Sequence, residues 1–240
     1  MTNTHAEEVR GRAVIVGASV AAVAAVCWAL AARRMSGMNM GPGTNLGTLS
    51  FFTATWATMM AAMMLPSALP AVLSFDRAAP GVPPVLFVIS YLAVWSAVGV
   101  AVFTAYRGVR AEHLGFLGWD RRGAYVAGAA VIAAGIYELT PVKRACLRRC
   151  RACATREGAL GAGIRYGIDC VGCSAGLMLV LFTVGVMSLF WMAIVAVLVF
   201  AQKVPARGMR LVAPVAVLLL GLGVWIALAP SSVRGLTLPM

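Results

Sequence analysis

Residues 178–200 read MLVLFTVGVMSLFWMAIVAVLVF, a stretch with no charged side chain in which only Gly185 to Ser188 offers a place to turn. With the apolar residues that precede it, the run is far longer than the ~20 residues that one helical crossing of a bilayer needs. A helical hairpin is the reading, because backbone in lipid has to satisfy its own hydrogen bonds. Long apolar segments recur at 13–32, 50–73, 84–106, 124–142, 167–184, 186–201 and 211–229. They predict an all-α, polytopic integral membrane bundle of about seven transmembrane helices. Composition agrees: of 240 residues 61% are hydrophobic and only 12% charged, outside the range of soluble globular domains.

The first segment follows VRGR and is flanked by Arg33 and Arg34 without a small-residue cleavage pattern, so a retained helix is expected rather than a signal peptide. Residues 1–12 read as a cytoplasmic tail and 13–240 as one transmembrane domain. The longest polar loop, 143–166, is too short to enclose a core of its own. The net charge of +12 reads as topology and not as a nucleic-acid footprint. Lys143, Arg144, Arg148, Arg149, Arg151, Arg156 and Arg165 place that loop on the cytoplasmic side of the cell membrane. Alternation then sets the N-terminus inside and the C-terminus outside, with 13 of the 20 basic residues inside.

Sulfur is the chemistry that stands out. WATMMAAMMLPSALP, residues 56–70, holds Met59, Met60, Met63 and Met64, two pairs at i, i+4 on an arc of about 140°. Ser50, Ala54, Ala57 and Ala61 form a small-residue strip opposite, suited to close helix packing. Just upstream, RRMSGMNMGPG places Met35, Met38 and Met40 in a glycine-rich loop. Thioethers are soft donors with no proton to lose, which favours Cu(I) over harder ions. The alternative for any single methionine is flexible apolar filler.

Cys146, Cys150 and Cys153 follow at i, i+4, i+7, and Cys170 and Cys173 form a second pair at the start of the fifth segment. Neighbouring arginines favour the thiolate, the metal-binding form. The last four cysteines also match the spacing of a structural zinc ribbon, so zinc stays open as the alternative to copper. Cys27, alone in the first segment, reads as packing. Glu138 and Asp169 are carboxylates at or near membrane depth, where such groups face a polar cavity or reach to the interface.

WATMMAAMMLPSALP, AGIYELTPVKRACLRRCR, GIDCVGCSAGLM and GVMSLFWM, in this order, resemble a family of predicted metal-binding integral membrane proteins. Some of its members accompany tyrosinase-type copper enzymes as copper-delivery accessories. The resemblance covers roughly residues 35–203 and implies a helical membrane protein handling copper, with Met59, Met60, Met63, Met64, Cys146, Cys150, Cys170 and Cys173 at matching positions. Relatives often continue the second cysteine pair with a third cysteine and a tryptophan, and have Asn in the GVM turn. This chain has Ser174, Ala175 and Ser188 there.

No HExxH, P-loop, GxSxG or dinucleotide fingerprint is present, and His5 and His113 cannot build a type-3 copper centre. The expectation is a Cu(I)-binding membrane transporter or metallochaperone, with a copper-dependent enzyme or another membrane subunit as partner. The alternative is a structural subunit of a membrane enzyme complex whose cysteines bind zinc or only pack. A redox enzyme using Glu138 and a bound metal is the third class.

Overall fold

The computed structural model describes residues 2–35, 48–111, 122–152, 158–184, 189–204 and 208–228. Among them all regular structure is helical: α1 (Thr2–Met35), α2 (Leu49–Ala78), α3 (Pro84–Ala111), α4 (Arg122–Leu139), α5 (Pro141–Ala152), α6 (Ala159–Val184), α7 (Leu189–Lys203) and α8 (Val212–Leu228), with a 3-10 turn at Gly208–Leu211. Where described, the seven apolar segments fall on seven of these helices, and the cysteine-rich stretch after the fourth supplies the remaining one, α5; the expected turn at Gly185 to Ser188 lies outside the described residues. By length and composition, five helical stretches can cross a membrane, and α4 with α5 makes a sixth if that bent pair is counted as one. α7 is apolar but has only 15 residues. Residues 2–12, the expected tail, are helical and continuous with the apolar part of α1.

Helix α2 is the centre of the bundle. Its N-terminus is capped by Thr48, whose hydroxyl accepts from the Phe51 amide at 3.3 Å. From Trp56 to Phe75 most of its side chains are buried on every side, so the expected division into a packing face and a sulfur face does not hold: Ala61 is as buried as the methionines, while Ser50 and Ala54 are exposed. The helix also runs past Pro66 and Pro70 to Ala78. α1 lies antiparallel against it, pinned by Arg12 to Asp76 at 2.8 Å near one end and by Arg34 to Thr55 at 3.4 Å near the other.

Near the other end of α2, Trp56 donates from Nε1 to the Trp95 carbonyl at 2.8 Å and stacks on Phe182 with centroids 5.6 Å apart. This ties α2 to α3 and α6. Large apolar side chains such as Ile15 on α1, Ile89 on α3, Phe190 on α7 and Trp225 on α8 point outward, with relative exposures above 50%. A water-facing surface rarely gathers so many; here they surround a core that encloses Glu138, Lys143 and Lys203.

The bend between α4 and α5, 61°, is encoded at Thr140-Pro141. Proline opens α5 where its missing amide costs nothing, and the Thr140 hydroxyl accepts from the Lys143 amide at 3.3 Å as an N-cap does. α5 then buries Lys143, Cys146, Leu147 and Cys150, the i, i+3, i+4, i+7 stripe of an amphipathic helix, and leaves Arg144 and Arg148 outward.

Helix α6 begins at Ala159, earlier than the apolar run that starts at 167. Its first turns lie against α3 so closely that a Cβ on Gly163 would meet the Phe87 carbonyl oxygen at 2.4 Å. The missing side chain is what allows the approach. Gly163→Ala should therefore wedge α3 from α6 and cost about 1–3 kcal/mol as overpacking does. Thermal unfolding in detergent checks it: the Gly163→Ala midpoint falls, while Gly108→Ala, where an added Cβ meets nothing within 4 Å, does not. A Gly163→Ala protein melting at or above the parent would contradict the close approach.

Candidate metal centre

Two of the expected thiols meet across α5 and α6: Cys150 Sγ lies 3.8 Å from Cys173 Sγ. That is close to the separation of two sulfurs bound to one ion at about 2.3 Å each in a tetrahedral arrangement. Cys146, one turn earlier on α5, sits over Gly172, where a Cβ would come within 2.7 Å of its sulfur. Glycine at 172 thus leaves the room that Cys146 occupies. Cys170 lies one turn before Cys173 on α6 and is fully buried. All four are free thiols.

The pair Cys170 and Cys173 is well inside α6, about 17 Å along the helix from Ala159 to Cys170 at 1.5 Å per residue. It was expected at a helix start; the early beginning of α6 moves it into the interior. Among the described residues no group of three or more His, Cys, Asp or Glu side chains is placed to hold a metal ion. The closed four-ligand arrangement of structural zinc is therefore not formed by the described thiols as they stand. Cys153, Met38 and Met40 lie outside the described residues, as does the side chain of Met35.

Cations and hydroxyls surround the sulfur. Lys203, the last residue of α7, places Nζ 3.0 Å from Cys170 Sγ, 3.3 Å from the Tyr166 hydroxyl and 3.5 Å from the Ser67 hydroxyl. Tyr91 Oη is 3.2 Å from the same Cys170 sulfur. On the α5 side, the Arg149 guanidinium donates to Cys146 Sγ at 3.6 Å and pairs with Asp169 at 2.9 Å. Asp169 is thus an orienting partner of a cation beside the thiols.

Glu138 is completely buried at the end of α4 and pairs with the equally buried Lys143 of α5. Gln202 of α7 completes the cluster, its Oε1 accepting from Lys143 Nζ at 2.7 Å and its Nε2 donating to Glu138 at 3.1 Å. Neither charge reaches for an interface.

Met59, Met60, Met63 and Met64 lie in the same core, from 0% to 6% exposed, and Met178 on α6 and Met192 on α7 join it. One turn beyond Met63, Ser67 donates to the Met64 carbonyl at 2.9 Å and faces Lys203, which faces Cys170. The methionine helix and the thiol helix are joined through that lysine. Sequence reasoning missed Lys203, Gln202, Tyr91, Tyr166 and Ser67. The one available signal was a Gln-Lys pair ending an apolar run, which reads equally as an interfacial anchor.

Among the described residues the interior is all-helical, with soft sulfur from four helices, thioether on α2, α6 and α7 and thiol on α5 and α6, next to the buried Lys143 and Lys203. A family model described as PpoB2, copper chaperone, matches residues 53–226. This is well over half of the chain, and the protein belongs to that family; its function is related to copper. No curated protein and no solved structure matches it. The matched region holds α2 methionines and the α5 and α6 cysteines but begins after Met35, Met38 and Met40.

Two outcomes check the geometry. Mild oxidation of the detergent-purified protein should join Cys150 to Cys173, which needs a side-chain adjustment from 3.8 Å to the ~2.05 Å of a disulfide. Peptide mapping by mass spectrometry reads it, and oxidant that never links α5 to α6 would contradict the packing. Glu138→Leu leaves the Lys143 ammonium buried without its anion and should cost about 3–5 kcal/mol. Adding Lys143→Met should restore part of that stability in denaturant unfolding; a further loss in the double variant would show that the pair is not coupled.

Proposed function

We propose that this protein is a multi-pass membrane carrier of Cu(I) that collects the ion on methionine sulfur, passes it to cysteine thiolates and delivers it to a copper-dependent partner enzyme. The observation that carries this is the junction at Ser67, Lys203 and Cys170, where the methionine turn of α2 meets the thiol turn of α6. Membership of a copper chaperone family supports the metal and the delivery role. The outward apolar side chains and the helix lengths support a bilayer setting.

The ligand order gives the path a direction. Neutral thioethers hold Cu(I) more weakly than thiolates, so an ion entering by the methionines of α2 gains affinity as it reaches Cys150 and Cys173. Met35, the last residue of α1, together with Met38 and Met40 stands before α2 in the chain and serves as the collecting segment. Under the positive-inside bias the arginine-rich α5 is cytoplasmic, and the movement is inward. A partner loaded before export suits that direction.

A second reading has one observation in its favour. The four α2 methionines are buried to the degree that packing residues are, as a structural subunit of an enzyme complex would have them. Deleting the gene separates the two. A copper carrier predicts loss of partner-enzyme activity in copper-poor medium, restored by excess copper. A structural subunit predicts a loss that copper does not restore. Partner activity and cell copper unchanged by the deletion would overturn the delivery role. In the purified protein, replacing Met35, Met38 and Met40 by Leu, which roughly conserves volume, should weaken Cu(I) uptake without lowering the melting midpoint. Unaltered uptake would remove the segment from the path.

A further inference from the structure

Lys203 is buried, 6% exposed, and among the described residues no Asp or Glu pairs with it. Its neighbours are the Cys170 sulfur, the Tyr166 and Ser67 hydroxyls and the face of the Tyr166 ring, whose centroid lies 5.0 Å away. The two other cations near the thiols are arranged differently. Lys143 has Glu138 as its anion. Arg149 is more than half exposed and has Asp169. An ammonium in an apolar interior costs several kcal/mol unless an anion answers it. At Lys203 the nearest group able to become that anion is sulfur.

Resting on the copper reading above, we propose that Lys203 is the built-in counter-charge of the thiol site and the residue that makes it prefer a monovalent over a divalent ion. When two cysteine thiols bind a metal, two S–H bonds are lost, two metal–sulfur bonds form and two protons leave to solvent. With Cu(I) the product carries one net negative charge. With Zn(II) it is neutral. The Lys203 ammonium beside the first gives a neutral interior; beside the second it leaves an unanswered positive charge. The low dielectric of the core enlarges that difference compared with water. Cys170 is one turn from Cys173 on α6, so an ammonium held on Cys170 lies within about a helical turn of the Cys150–Cys173 pair. Tyr166 and Ser67 fix the position of the charge, as outer partners do around metal ligands.

The test uses full-length protein in detergent, titrated anaerobically with chelator-buffered Cu(I) and separately with Zn(II). Lys203→Met, which removes the charge and keeps an unbranched apolar chain, should weaken Cu(I) binding by about 10- to 100-fold, the usual effect of losing an outer partner. Zn(II) binding should stay the same or tighten. Lys203→Arg, which keeps the charge, should hold Cu(I) to within a few-fold of the parent. The proposal is overturned if Lys203→Met binds Cu(I) as the parent does, or if Cu(I) and Zn(II) weaken by the same factor, since a purely structural role moves both alike. A parent protein whose Cu(I) uptake does not change in Cys150→Ser with Cys173→Ser fails at the earlier step: the thiol site itself is then wrong, and the counter-charge goes with it.

Discussion

Two ammonium groups, Lys143 and Lys203, are buried in an apolar bundle, and the arrangement around the thiols depends on how they are held. Both arrangements use the C-terminal end of α7. Gln202 and Lys203 are consecutive, about 100° apart around the helix, and reach different clusters: Gln202 joins Glu138 and Lys143 of α4 and α5, while Lys203 joins Ser67 of α2 and Tyr166 and Cys170 of α6. A helix of only 15 residues is thereby fixed to four others. Buried polar clusters of this kind are favourable only when each member has its partner. The positions of Cys150 and Cys173 follow, because α5 is held by Lys143 on one side and by Arg149 to Asp169 on the other.

Much of this was legible in the sequence, and the rest failed for a physical reason. Uninterrupted apolar runs report helices, the structure in which a chain satisfies its own backbone hydrogen bonds; the described part of each of the seven runs is helical apart from the break at Thr140, where the fourth run passes into α5. The i, i+4, i+7 cysteines reported a helical face, which α5 realises for Cys146 and Cys150. What could not be read was the inward turn of charge. Lys143 and Lys203 stand among basic residues at segment ends, where a lysine ordinarily reaches for the interface. Only the tertiary partners Glu138, Gln202, Tyr166 and Cys170 show that these two do the reverse. Likewise Gly163 identifies the early start of α6 only once α3 is seen lying against it.

Chemically the site is graded rather than closed. Thioethers line the central helix, one thiol pair spans α5 and α6, and two further thiols stand within a turn, each with a cation beside it. A structural metal site brings all of its ligands to a single point. Under the proposed carrier role the bound ion has to be released, and separate ligands would allow exchange from one sulfur to the next. That distinction links the architecture to membership of a copper chaperone family.

The central claim is that Cu(I) comes to rest on Cys150 and Cys173. Copper K-edge X-ray absorption on protein purified in detergent, loaded anaerobically with Cu(I) and freed of excess metal, tests it most directly. The predicted result is an all-sulfur first shell of low coordination number, lost together with retained copper in a Cys150→Ser, Cys173→Ser protein that still folds. A first shell of nitrogen or oxygen, or copper retained undiminished without those two thiols, would contradict it.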